Sequence, residues 1–364
     1  MYTKTITALM LLVTVLVASA ADKHLLNVSD NAHHHNAIDT LRFIVVGDTG
    51  TGGKGQQLVA DAIYQVCQVQ GCDFALALGD NVYRTGVTDL ADEQFKSKFE
   101  QPYAKLNFPF YMVIGNHDDP DAGAVKAGTT DSGRYEVEYT YKSDKSSDKW
   151  RLPARYYRFD MPDKDHPIAT FLSIDGASLA GRPEGQLVPS QLDYRDRQAQ
   201  WLDREFNRSS APWKIAFTHF PLYSNGQHGN AGDYGGHEGQ GVIFRTLITQ
   251  HVCGKADILF SGHDHDLQWL KPVAECGKTV QIVSGAGAKV RDLEDEDRNE
   301  ALWQMGDTLG FFYIEVSDDS FKGTVYTVDQ DDGEYRAAFN AELSKEQPAG
   351  ERLFFWPTYL LTNL

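Results

Sequence analysis

Five short apolar runs along the chain each stop at a turn that carries oxygen and nitrogen ligands. Phe43-Ile44-Val45-Val46 ends in Gly47-Asp48-Thr49-Gly50, and Phe74-Ala75-Leu76-Ala77-Leu78 ends in Gly79-Asp80-Asn81-Val82-Tyr83. Phe110-Tyr111-Met112-Val113-Ile114 runs into Gly115-Asn116-His117-Asp118. Lys214-Ile215-Ala216-Phe217-Thr218 runs into His219-Phe220-Pro221, and Asp257-Ile258-Leu259-Phe260-Ser261 into Gly262-His263-Asp264-His265. Apolar runs of this length, bounded by turn residues, read as strands buried on both faces.

Between the strands the period changes. Leu58, Ile63 and Val66 give helical spacing to Gln56–Cys67. Ala91–Phe99 reads as a second helix, acidic early and with Lys96 and Lys98 late, as the helix dipole prefers. Ser190–Asn207 reads as a third, with Leu192, Trp201, Leu202 and Phe206 on its inner face, and Gly239–Val252 as a fourth. Strand, helix, strand, helix, strand implies parallel pairing. Residues 119–150 are polar and weakly patterned, a surface excursion with a short hairpin expected around Tyr135–Tyr141. Arg155–Phe159 and Ile168–Ile174 suggest an antiparallel pair, and further strands are expected near Val280, Phe312 and Val325.

Composition narrows the setting. With 364 residues and 41% hydrophobic content the chain can bury a large core. A net charge of −17 argues against a nucleic-acid or anionic-membrane partner, since both need a basic face. An anionic substrate stays open, because bound cations reverse the local field. Lys4, the apolar run Ile6–Val17 and Ala18-Ser19-Ala20 read as a signal peptide over 1–20, so export to the periplasm or the cell exterior is expected. The run is too short for a comfortable membrane span. Residues 21–40, with His33-His34-His35, read as a flexible leader, 41–330 as the main domain, and 331–364 as an apolar extension packing on it. Cys67, Cys72, Cys253 and Cys276 suit two local disulfides, Cys67 with Cys72 and Cys253 with Cys276. Oligomeric state is not legible.

Each strand-end motif also has a plain reading. Asp48 could cap a helix, Asn116 suits a turn, and a lone histidine after a strand is usually structural. The Gly-rich Thr51-Gly52-Gly53-Lys54-Gly55 lacks the spacing of a nucleotide P-loop. A doubly wound sheet would bring all five strand ends to one edge. Two carboxylates, an amide oxygen, three histidines and a phenol then exceed what one tetrahedral zinc takes. They suit two cations about 3.5 Å apart, with Asp80 as the bridging carboxylate.

This series of five blocks resembles that of the purple acid phosphatases, within the calcineurin-like metallophosphoesterases. The closest likeness is to the small, tartrate-resistant type, and it continues through Asp266-Leu267-Gln268, Ser284-Gly285-Ala286-Gly287 and Leu309-Gly310-Phe311. The resemblance implies an α/β fold, a four-layer α/β/β/α sandwich with a dinuclear metal site at the strand C-terminal ends. It implies that Asp48, Tyr83 and His265 hold Fe(III), that Asn116, His219 and His263 hold a divalent ion (Fe, Zn or Mn), and that Asp80 bridges. His117 and His228 would face the substrate, a phosphate monoester. In-line attack by metal-bound hydroxide would follow, with the two histidines as proton donors. Phenolate is a hard ligand suited to Fe(III), so Tyr83 points to acid phosphatase activity and a coloured protein. The alternatives are a phosphodiesterase or nucleotidase of the same superfamily, and a non-catalytic exported iron-binding protein. The acidic stretch Arg291–Glu300 reads as a solvated loop.

Overall fold

The computed structural model describes residues 39–119, 132–180, 189–345 and 353–355. In chain order the strands are β1 (Leu41–Val46), β2 (Phe74–Ala77), β3 (Phe110–Met112), β4 (Trp150–Arg151), β5 (Tyr157–Met161), β6 (Ala169–Ile174), β7 (Trp213–Thr218), β8 (Ile258–Ser261), β9 (Leu267–Leu270), β10 (Val280–Ser284), β11 (Ala301–Met305), β12 (Leu309–Val316), β13 (Ser320–Val328), β14 (Tyr335–Ser344) and β15 (Leu353–Phe355). The α-helices are α1 (Lys54–Gln70), α2 (Ser132–Tyr139), α3 (Ala177–Ala180), α4 (Pro189–Arg208) and α5 (Val242–His251). The signal peptide, the leader up to residue 38 and most of the apolar tail lie outside the described residues.

The strands form two mixed sheets rather than one doubly wound sheet. The first runs β15-β14-β13-β12-β1-β2-β3-β4 and the second β11-β9-β10-β8-β7-β6-β5. Within the first, β1, β2, β3 and β4 are parallel, with Val45 opposite Leu76 and Leu76 opposite Tyr111. Within the second, β6, β7, β8 and β10 are parallel. β5 is antiparallel to β6, as the pattern of Arg155–Phe159 and Ile168–Ile174 suggests.

Aromatic side chains fill the space between the sheets. Phe43 and Phe74 of the first sheet meet Phe171 of the second with ring centroids 5.5 and 5.3 Å away, both edge to face. Phe171 also stacks on Phe159 at 4.8 Å. Such pairs add about 0.5–1.5 kcal/mol each beyond the burial of their area. Helix α1 packs on β12 and β13 at the first sheet, while α3, α4 and α5 pack together, and α4 meets the second sheet where Glu205 pairs with Arg158 of β5. The order of layers is α/β/β/α. From Thr40 onward the described residues form one unit, and none of their helices is long and apolar enough to cross a membrane.

Two local expectations fail. The segment read as a hairpin is helix α2. Its buried positions Gly133, Glu136, Tyr139 and Thr140 follow helical spacing, but two are polar and one is glycine, so hydrophobicity does not reveal it. Tyr139 stacks on Phe95 at 3.8 Å and the Glu136 carbonyl accepts from Trp150 Nε1 at 3.0 Å. The helix expected over Ala91–Phe99 is reduced to one wide helical turn, Lys96–Glu100. Ahead of it, Asp89 accepts from the Ala91 amide and Asp92 from the Thr88 amide, so aspartate side chains compete with the helix for backbone donors. Both expected disulfides form, Cys67 with Cys72 at the end of α1 and Cys253 with Cys276 after α5.

Candidate metal centre

All seven predicted ligands stand at the C-terminal ends of strands, and the two sheets contribute to one site. Asp48 follows β1, Asp80 and Tyr83 follow β2, and Asn116 follows β3 in the first sheet. His219 follows β7, and His263 and His265 follow β8 in the second. The edges are tied together, with Gly47 N donating to Ser284 O at 2.7 Å and His263 N to Asp48 Oδ2 at 2.8 Å. Four non-glycine residues among those described have positive φ, and three are predicted ligands: Asp48 (59°), Asp80 (52°) and His263 (71°). Left-handed backbone at such residues costs about 1–3 kcal/mol each and persists where surrounding structure enforces it. The glycine before Asp80 is equally constrained. A Cβ on Gly79, whose φ is +85°, would lie 2.8 Å from His219 Nδ1.

The donor atoms fall into two groups. Tyr83 Oη donates to Asp48 Oδ1 at 3.1 Å and lies 3.2 Å from His265 Nε2, which is 3.5 Å from Asp48 Oδ1. In the other group, His219 Nε2 lies 2.9 Å from Asn116 Oδ1, 3.1 Å from His263 Nδ1 and 3.5 Å from Asp80 Oδ1. Asp80 connects them, since ligand atoms of Asp48, Asp80 and His219 all lie within 4.8 Å of one another.

This donor set fits cations better than protons. His219 Nδ1 is 2.8 Å from the Leu78 carbonyl, so in the neutral ring that nitrogen carries the hydrogen. His219 Nε2 is then a bare lone pair facing the oxygens of Asn116 and Asp80. Of the two ring nitrogens that meet here, only His263 Nδ1 can then carry a hydrogen. Burial pushes the Asp48 carboxyl well above its usual range. Burial, then the charges of Asp48 and Asp80, drives the Tyr83 phenol far upward. Burial and the neighbouring His228 and His219 hold His263 well below the ordinary imidazole value, and burial with Lys289 and Arg291 brings His265 down to about 3. The two imidazoles are therefore neutral and free to ligate, while burial disfavours the ionised forms of Asp48 and Tyr83.

The two histidines expected to face substrate are both at the site. His117 Nδ1 donates to the Arg84 carbonyl oxygen at 2.6 Å, and the His117 backbone amide donates to Asp80 Oδ1 at 2.9 Å. Its ring is 4.6 Å from that of Tyr83 and its side chain is 35% exposed. His228 stacks on His263 at 3.9 Å. Asp264 Oδ1 takes both the backbone amide and Nδ1 of His228, each at 2.8 Å.

Sequence reasoning missed three neighbours. Asp264 lay inside a quoted motif but received no role. Lys289 Nζ sits 4.1 Å from the Tyr83 ring centroid, and Arg291 Nη1 is 3.4 Å from His228 Nε2. Both cations follow Gly285-Ala286-Gly287, and their position just past that turn was the available signal. Arg291 is thus part of the site, while the acidic residues after it form the loop that was expected.

Residues 41–267 match the family model described as calcineurin-like phosphoesterase. The chain belongs to that family. Curated relatives include tartrate-resistant acid phosphatase type 5 of Rattus norvegicus, 29% identical over 78% of this chain and 86% of that one. The Homo sapiens protein of the same name is 27% identical over 85% and 90%. Purple acid phosphatase 4 of Arabidopsis thaliana is 26% identical over 83% of each. These relatives agree with the resemblance carried by the five motifs. Among solved structures, GAP50 of Plasmodium superposes with a TM-score of 0.64 at 20% identity, over 84% of this chain and 89% of that one. PhoD superposes at 0.61 with 12% identity, over 89% and 73%. At these identities the likeness is one of fold.

Proposed function

We propose that the protein is an exported acid phosphatase that hydrolyses phosphate monoesters at a dinuclear Fe(III)–divalent metal centre. The observation that carries this reading is the grouping of donors about Asp80. Asp48, Tyr83 and His265 would hold Fe(III); Asn116, His219 and His263 would hold the divalent ion; Asp80 would serve both. Bound there, two cations would neutralise phosphate oxygens and lower the pKa of an attacking water. The phenol of Tyr83 is the hard oxygen donor that favours a ferric ion over zinc.

The chain's own groups supply the rest. His117 and His228 lie on opposite sides of the donor set, one against Tyr83 and one against His263. Each can give a proton at a ring nitrogen to the departing ester oxygen. Asp264 holds His228 by two hydrogen bonds and fixes the direction of its Nε2, which Arg291 Nη1 approaches at 3.4 Å. Asp118 accepts from the amides of Gly115 and Val82 at 2.7 and 2.8 Å and so locks the turns bearing Asn116 and Tyr83 together. Export is supported by the two disulfides and by the apolar run followed by Ala18-Ser19-Ala20.

Hydrolysis of p-nitrophenyl phosphate and its bis ester by the purified protein tests this reading. The monoester should be cleaved with acidic pH preference and the diester far more slowly. Preferential diester cleavage would move the assignment to a phosphodiesterase, and metal binding without turnover would leave an iron-binding protein.

A further inference from the structure

The turn that carries His117 is held from two directions. His117 Nδ1 donates to the Arg84 carbonyl, which leaves Nε2, 4.0 Å from Asp80 Oδ2, to carry the proton that a leaving group takes. Two residues on, Asp119 accepts from Arg155 Nη1 at 2.8 Å. Arg155 Nε donates in turn to Asp175 Oδ2 at 2.7 Å. One guanidinium therefore spans two carboxylates whose side chains are 4% and 0% exposed.

This clasp joins the two sheets. Asp119 lies just past the turn after β3, and Asp175 directly follows β6. Ile174 is opposite Thr218 in register, so Asp175 leaves the strand end next to the one that carries His219. Helix α4 fixes Asp175 from behind. Gln198 Oε1 accepts from the Asp175 amide at 2.9 Å, Gln198 Nε2 donates to its carbonyl at 3.0 Å, and the Tyr194 hydroxyl donates to Oδ2 at 2.7 Å. Helix α2 closes over the pair, since a Cβ on Gly133 would lie 3.0 Å from Arg155 Nη1 and 3.2 Å from Asp119 Cβ. A planar guanidinium engaged on two sides fixes direction as well as distance, which an ammonium does not.

We propose that Arg155, by clasping Asp119 to Asp175, is a positioning residue that sets where His117 Nε2 meets the departing ester oxygen. This rests on the phosphatase reading above. In that step, water oxygen forms the new P–O bond, the ester P–O bond breaks, and the Nε2 proton passes to the ester oxygen as it leaves. A buried ion pair is a weak source of net stability; this one supplies geometry. Its effect depends on the leaving group, because an alkoxide must be protonated as it departs and p-nitrophenolate need not be.

The test compares metal-loaded wild type, Asp119→Ala and Arg155→Met on ethyl phosphate and p-nitrophenyl phosphate. Asp119→Ala keeps Arg155 paired with Asp175 and cuts only the link to the His117 turn. In both variants kcat on ethyl phosphate should fall by roughly tenfold or more, while kcat on p-nitrophenyl phosphate stays within about twofold. Iron content and the visible band should match wild type. Asp119→Asn, whose amide oxygen can still accept from Arg155, should restore most of the lost rate. Adding Asp119→Ala to His117→Ala should slow ethyl phosphate no further than His117→Ala alone, since the two residues act as one unit. If Arg155→Met does not fold, as judged by circular dichroism, Asp119→Ala and its combination with His117→Ala decide. Unchanged rates, equal losses on both esters, or a lost band in a folded variant overturn this inference and leave the phosphatase reading standing. A wild type that cleaves neither ester overturns the phosphatase reading and this inference with it, because His117 then has no leaving group to protonate.

Discussion

Asp48, Asp80 and His263 share a left-handed backbone at the end of a strand, and each follows a glycine. Short strands that must turn sharply there aim their side chains back across the sheet edge, at the cost of local strain. These residues were legible because the glycine and the ligand are adjacent in sequence. Lys289 and Arg291 were not, since neither belongs to a ligand type and only the fold brings them over Tyr83 and beside His228. At this scale two outcomes are expected. Replacing His117 by Ala should lower kcat by about 10²–10⁴-fold while metal content is unchanged; metal loss would make it a ligand. His265 is held neutral in the folded protein down to about pH 3. In the unfolded chain it would protonate near its ordinary value of about 6.5. The metal-free protein should therefore lose stability through this residue as pH falls from about 6.5 toward 3. The slope of melting temperature against pH between 7 and 4.5 should be flatter in metal-free His265→Asn than in metal-free wild type. Equal slopes would contradict it.

Secondary-structure elements separate into those with an apolar signature and those without. The buried strands and helices α1, α4 and α5 were readable from period alone. Helix α2 was not, because its buried face includes Glu136 and Thr140, which pair with side chains and amides elsewhere rather than with an apolar core: Asn81 Nδ2 reaches Glu136 Oε2 at 3.1 Å and Thr140 Oγ1 accepts from Leu152 N at 2.8 Å. The cysteine pairs were accessible because each is local. Chain-entropy reasoning ranks them. The Cys253–Cys276 link spans 23 residues and the Cys67–Cys72 link 5. Removing the longer should cost about 3–4 kcal/mol and the shorter about 2. Denaturant midpoints of the two double Cys→Ser variants measure this; the reverse order would mean that native packing, not loop entropy, sets the difference.

For the whole molecule, the motif series implied the four layers, whereas parallel strand order alone suggested a single sheet. The difference lies in the aromatic residues between the sheets. Phe43, Phe74, Phe159 and Phe171 read in sequence only as strand interiors, yet they fasten one sheet to the other. Phe171→Ala should destabilise the protein by about 3–5 kcal/mol in chemical denaturation. Because each donor group draws its residues from both sheets, such a loss should also weaken metal retention. The account as a whole depends on Tyr83 joining Asp48 and His265 around iron. Its most direct test is the visible absorption spectrum of the purified protein, taken with its iron content, beside that of Tyr83→Phe. The account predicts an iron-containing, coloured wild type and a Tyr83→Phe protein that keeps its fold but loses the band. A colourless, iron-free wild type that still hydrolyses phosphate monoesters would contradict it.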